Sequence, residues 1–217
     1  MISAKLYGLP GLGADHRLFS RLDLSGFTPT FLDWPVMPKG SALRDYALAL
    51  STSIDATVPH ALVGVSMGGM VAQELAGITH PEKVIIISSW KGPQEMPPTL
   101  KLMRGTHPER LLSKAFMKRT LPFVRWQMGL EGPASMALFD ELLHVHTLEQ
   151  LKVQINACLT WDGPPEPVPH LTHIHGDNDL LMPLAHIDRP VVVKGGGHFM
   201  VFDRATEVQT HLIRALH

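Results

Sequence analysis

The sequence predicts an α/β fold: a mostly parallel sheet of about six strands, helices on both faces, and an inserted helical segment. Three observations carry that prediction. Short apolar runs alternate with amphipathic segments of helical period over residues 5–90 and again after 170. One run, Lys83-Val84-Ile85-Ile86-Ile87-Ser88-Ser89, is rich in β-branched residues, as a strand buried on both faces requires. Between 91 and 162 the alternation stops, and helical stretches separated by Pro and Gly replace it.

In order, Lys5-Leu6-Tyr7-Gly8-Leu9 reads as the first strand, running into Pro10-Gly11-Leu12-Gly13-Ala14. Asp15 is placed as the N-cap of a first helix with Leu18, Phe19 and Leu22 on its apolar face. Thr30-Phe31-Leu32 forms a second strand, stopped by Pro35 and Pro38. Ser41 is expected to cap a second helix, in which Leu43, Ala47, Leu50 and Ile54 recur at helical spacing. A strand over 61–65, a Gly-rich turn and a helix to about Ile78 follow, then the strand at 83–89.

Pro97-Pro98 marks the entry to the insertion, and four prolines between Gly163 and Pro169 mark its exit. Thr147 with Gln150 three residues on makes a capping box, opening a helix through Leu159 that returns the chain to the sheet. Strands at 171–175 and 190–194 and a terminal helix around 206–216 complete the pattern. The division expected is a core of residues 1–90 and 147–217 and a helical cap of residues 91–146.

Composition excludes several classes of function. Apolar residues at 45% against 18% charged describe a chain with a core to bury, not a disordered one. A net charge of −1 gives no field to gather nucleic acid or a membrane surface, and neither is expected as a partner. Cys158 is the sole cysteine, so no intrachain disulfide can form. Met1 to Lys5 lead into the Gly/Pro segment without a long apolar stretch, and no apolar run is long enough to span a bilayer. A cytoplasmic location is expected.

The chemistry centres on Gly64-Val65-Ser66-Met67-Gly68. An apolar run before it and a helical pattern after it give the form of a nucleophile elbow, a strained turn that lifts a serine hydroxyl above the sheet. A serine is a weak nucleophile until a base takes its proton, and the base needs an acid to hold its tautomer. On this architecture acid and base follow in that order, each on a loop after a strand. His198 follows the last strand directly, behind Gly195-Gly196-Gly197, and is the expected base. Asp177 and Asp179 share the loop after strand 171–175; Asp179 is favoured as the acid, with Asp177 as turn former. The oxyanion donors are expected to be the backbone N–H groups of Met67 and of Leu12 in the loop after the first strand.

These residues resemble the α/β-hydrolase family. Gly64-x-Ser66-x-Gly68-Gly69, Gly176-x-x-Asp179-x-x-x-Pro183 and Gly197-His198-Phe199-Met200 agree with it in type, order and spacing, over the core from Leu6 through the terminal helix. The resemblance implies a serine hydrolase cleaving a small carboxylic ester or thioester through an acyl-enzyme on Ser66, with no cofactor and no metal. Two departures stand out. Pro10 replaces the histidine that often braces the family's first oxyanion loop, and the chain starts at what resembles the family's third strand.

Residues 91–125 carry eight Lys/Arg against Glu95 and Glu109. An anionic substrate would fit that balance. So would a solvated stripe on an amphipathic helix, since Arg110, Lys114 and Lys118 lie four apart with Leu111, Leu112, Ala115 and Phe116 on another face, and this second reading is favoured. Trp90, just after a core strand, either borders the substrate pocket or packs beneath the cap. Other functions remain on the same fold: acyltransferase, lyase or ligand-binding protein. Metal-dependent hydrolysis through His173-x-His175-x-Asp177 is disfavoured, because a strand histidine pair is more often structural.

Overall fold

The computed structural model describes residues 5–217, so the opening of the chain, on which the expectation of a cytoplasmic location partly rests, lies outside the described residues. Its centre is a six-stranded sheet: β1 (Lys5–Leu9), β2 (Thr28–Phe31), β3 (His60–Val65), β4 (Lys83–Ile87), β5 (Leu171–Gly176) and β6 (Val191–Val193). The spatial order is β2-β1-β3-β4-β5-β6, and every neighbouring pair is parallel. The central strands are buried on both faces, which is why Leu62 to Val65 and Val84 to Ile87 read as continuous apolar runs rather than alternating ones.

Alternate residues of those strands feed two separate cores. Tyr7, Leu9, Leu62, Val84 and Ile86 pack against α1 (Leu43–Ser51), α2 (Met67–Thr79) and α6 (Leu148–Thr160). Leu6, Ala61, Val63, Val65, Ile85 and Ile87 pack against α5 (Pro133–Leu142), α7 (Met200–Asp203) and α8 (Ala205–Leu216) on the other face. The insertion between β4 and β5 holds α3 (Pro98–Met103), α4 (Lys114–Met128), α5 and α6, with no strand, as the sequence predicts. No helix among the described residues is long and apolar enough to cross a membrane.

Four local expectations change. The first helix is a single 3-10 turn, His16–Phe19; Asp15 does cap it, accepting from Arg17 N, but the chain turns away at Ser20. The second helix is capped at Ala42 rather than Ser41, because Asp45 reaches back to Ala42 N at 2.8 Å. Thr147 accepts from Gln150 N as expected, yet the Gln150 side chain does not close the box. It clasps Met37 instead, accepting from its N at 2.9 Å and donating to its O at 3.1 Å. Finally, Arg110 lies in a 3-10 turn (Pro108–Leu111) and Lys114 begins α4, so the predicted basic stripe does not share one helix. No residue of α4 is fully buried, and Leu111 and Phe116 are exposed beside the basic residues.

The sheet also places the chemistry. From β1 the chain goes outward to β2, then returns to the other side of β1 for β3. Loops leaving the carboxyl ends of β1 and β3 therefore diverge and leave a crevice between them, the usual ligand position in an open parallel sheet. Gly68 makes the approach across that crevice possible: a Cβ there would collide with the carbonyl oxygens of Leu9 and Pro10. Gly64 is equally constrained, since a Cβ would meet the backbone of Gly68 and lie 2.6 Å from Gly69 N. Gly68→Ala is therefore expected to destabilise the protein by about 1–3 kcal/mol. Gly77→Ala, exposed in the same helix with open space around it, is expected to stabilise it by about 1 kcal/mol. Urea midpoints of the two variants check the contrast.

Candidate active site

Ser66 sits between β3 and α2 with φ 54° and ψ −119°, a backbone conformation that costs a non-glycine residue free energy. Its neighbours hold it there. Ser66 N donates to Ile87 O at 2.9 Å, while Ser66 O accepts from Gly69 N at 2.9 Å and from the Ser89 hydroxyl at 2.8 Å. With the backbone fixed on both sides, the hydroxyl meets His198 Nε2 at 3.1 Å.

His198 arrives on the loop after β6, and its Nδ1 lies 2.8 Å from Asp179 Oδ2. The structure thus brings Ser66, His198 and Asp179 into one hydrogen-bonded chain from three separate loops. Asp177 stays outside it and accepts from Gly195 N, tying the acid loop to the glycine run before His198. Asp179 Oδ1 accepts from Leu181 N at 3.0 Å and Met182 N at 2.8 Å, which fixes the carboxylate plane. Burial opposes the charge on Asp179, but the His198 ring and the Met182 N–H outweigh it, and its carboxyl stays below the usual carboxylate range.

Beneath the acid lies a histidine pair. The Met182 carbonyl can only accept, so His175 Nε2 carries a proton and donates to it at 2.7 Å. His175 Nδ1 is then an acceptor, and His173 Nε2 donates to it at 3.2 Å. Burial, then the neighbouring His175 and Lys91, push His173 down to about 2; burial also lowers His175. Both rings are neutral props for the loop that carries Asp179. Among the described residues no group of three or more His, Cys, Asp or Glu is arranged to hold an ion.

On the other side of Ser66, the loop after β1 runs close beneath the elbow, and a Cβ on Gly11 would lie 3.6 Å from Ser66 Cβ. The N–H groups of Leu12 and Met67 donate to no partner among the described residues. Two buried side chains that the sequence reading passed over hold this loop. Trp34 Nε1 donates to Gly11 O at 2.9 Å, and Gln154 Oε1 accepts from Gly13 N at 2.8 Å. Gln154 Nε2 is buried with no partner, a state that costs about 1–3 kcal/mol. The available signal was Gln154 itself, an amide that shares a helix face with the apolar Leu151, Ala157 and Cys158, one turn after Gln150. Trp90 is 2% exposed and packs in the same core as Met67, Met70 and Met96, its indole N–H unpaired.

The insertion touches the site from above its last loop. Phe199 N donates to Met128 O at 3.1 Å, at the carboxyl end of α4, and Gly129 packs against Gly197. The local excess of cations is partly neutralised by acids outside 91–125, through Arg104 with Asp162 and Arg125 with Asp140. Lys114, Lys118 and Arg119 are exposed without an ionic partner among the described residues, as a solvated surface requires.

Comparison of the chain with known proteins identifies its family and its fold. A family profile, the alpha/beta hydrolase family, matches residues 4–209. The protein belongs to the alpha/beta hydrolase family. No curated protein sequence matches it. Similar solved structures include a thermophilic esterase from Thermogutta terrifontis, 16% identical with TM-score 0.71, covering 98% of this chain and 89% of that one. A lipase-esterase related protein from Clostridium acetobutylicum is 17% identical with TM-score 0.71, covering 98% and 94%. YbtT, a type II thioesterase of a yersiniabactin pathway, is 19% identical with TM-score 0.65, covering 98% and 92%.

The neutral histidine pair has a consequence for stability. An unfolded histidine protonates near 6.5, whereas His173 in the folded protein holds off to about 2. Between those values the unfolded chain binds the extra proton, so stability falls as pH drops below about 6.5. His173→Gln is expected to flatten this acid slope by up to one proton, measured by urea unfolding between pH 7 and 4. An unchanged slope would contradict the neutral assignment.

Proposed function

We propose that the protein is a serine hydrolase that cleaves a small carboxylic ester or thioester through an acyl-enzyme on Ser66. The observation that carries this reading is the chain Ser66 Oγ to His198 Nε2 to Asp179 Oδ2, at 3.1 and 2.8 Å. His198 takes the hydroxyl proton as Ser66 attacks the acyl carbon. Asp179 keeps the other ring proton on Nδ1 and stabilises the imidazolium that forms. The free N–H groups of Leu12 and Met67 receive the developing oxyanion, and Met67 adds the positive end of α2. His198 then returns the proton to the leaving alcohol or thiol, and a water repeats the sequence to release the acid.

In this reading residues 91–146 are a cap whose α4 end lies against the His198 loop, and Trp90 packs beneath it in the core. The esterases and the type II thioesterase among the structural neighbours support an ester or thioester bond as the target. No role is assigned to a cofactor or metal.

A fluorophosphonate probe is expected to label the wild type and not Ser66→Ala, and hydrolysis of p-nitrophenyl esters should vanish in the same variant. Undiminished hydrolysis by Ser66→Ala would sink the mechanism. Asp179→Asn should lower kcat by about 10⁴-fold, because the base then sits in the wrong tautomer. Asp177→Asn should retain most of the rate. The reverse ranking would move the acid to Asp177.

A further inference from the structure

Pro10 stands where the family often has a bracing histidine, so something else must fix the direction of the Leu12 N–H. We infer that Trp34 and Gln154 are paired positioning residues for this donor, each holding one of the two peptide planes that meet at Leu12. The inference rests on the reading of Ser66 as nucleophile and Leu12 as an oxyanion donor.

The Gly11 carbonyl and the Leu12 N–H belong to one peptide unit, and no peptide bond among the described residues is cis. In a trans peptide the two groups point in opposite directions. Trp34 Nε1, in a 6% exposed side chain, holds Gly11 O at 2.9 Å, and Ala14 N adds a second bond to it at 3.1 Å. The carbonyl is turned toward Trp34, and the Leu12 N–H is turned away from it. The next unit joins the Leu12 carbonyl to Gly13 N, and Gln154 Oε1 accepts from that N at 2.8 Å. With both planes anchored, the rotations about Leu12 Cα are set from outside the loop.

The anchors are themselves rigid. Trp34 meets the Tyr46 ring edge-on, with centroids 5.7 Å apart and planes at 88°. Gln154 is fully buried, and only a carbonyl oxygen can satisfy Gly13 N–H, so the orientation of its amide is determined. Leu151, one turn earlier on α6, packs against Gly13. Gln150 on the same helix clasps Met37 in the loop after β2 and leaves the Leu12 peptides alone.

The test compares Trp34→Phe, Gln154→Met, Gln154→Glu and Gln150→Met on a p-nitrophenyl ester, with melting temperatures recorded for each. Trp34→Phe and Gln154→Met should lower kcat by about tenfold or more with KM little changed, the mark of an interaction made in the transition state. Gln154→Glu keeps an acceptor for Gly13 N and should recover part of that loss. Gln150→Met should lower the melting temperature but leave kcat near wild type. Two results would overturn the inference: wild-type kcat in Trp34→Phe and Gln154→Met, or an equal kcat loss in Gln150→Met. If Gln154→Met does not fold, Trp34→Phe decides, since it removes one N–H and keeps a ring. Ser66→Ala separates the two levels: activity surviving there removes the nucleophile, whereas an inactive Ser66→Ala beside a fully active Trp34→Phe removes only this inference.

Discussion

The structure depends on one close approach, that of the first turn of α2 to the carboxyl end of β1. Gly68 lies so near the carbonyls of Leu9 and Pro10 that no side chain fits between them. That contact packs the elbow against the loop after β1 and places Ser66 at the switch point of the sheet. It also explains how a strained serine persists. The unfavourable φ at Ser66 is over-determined by bonds to Ile87, Gly69 and Ser89 from two neighbouring segments. The strain belongs to the packed core and not to the turn alone.

On the far side of Ser66 the constraint is electrostatic. Asp179 is buried yet charged, because His198 and the backbone N–H groups of Leu181 and Met182 replace the water it has lost. A cation below the carboxylate would compete with His198 for it. The histidine pair avoids that by staying neutral, with His175 spending its one proton on the Met182 carbonyl. His175 Nε2 is 3.7 Å from Asp179 Oδ2, close enough for a charge there to matter and too far for a hydrogen bond. The strand histidines that resemble a metal site are better explained as the floor of the acid loop.

Strands, helices and the three linked side chains were legible because each is written locally. Val84 to Ile87 announce a strand buried on both faces, and Ser66, Asp179 and His198 each lie in the turn or loop after a strand. What was not legible crosses the chain. Gly13 and Gln154 are 141 positions apart, and nothing near either residue encodes the other. The Thr147–Gln150 box failed for the same reason, since the Gln150 amide found both backbone groups of Met37 across the fold. The basic stripe failed on a different ground. A four-residue repeat describes one face only if the helix is continuous, and Ser113, the N-cap of α4, separates Arg110 from Lys114 and Lys118.

The segment between β4 and β5 reaches Ser66 from two directions. At the end of α4, Met128 O holds Phe199 N, one residue past the proposed base. On α6, Gln154 holds Gly13, one residue past the proposed oxyanion donor. Both contacts are backbone-directed, so they act on where the loops run and not on which side chains the loops carry. A displacement of α4 would therefore be felt first at His198, and a displacement of α6 first at Leu12. The proposed base and the proposed oxyanion donor are thus steadied by different helices of one continuous segment.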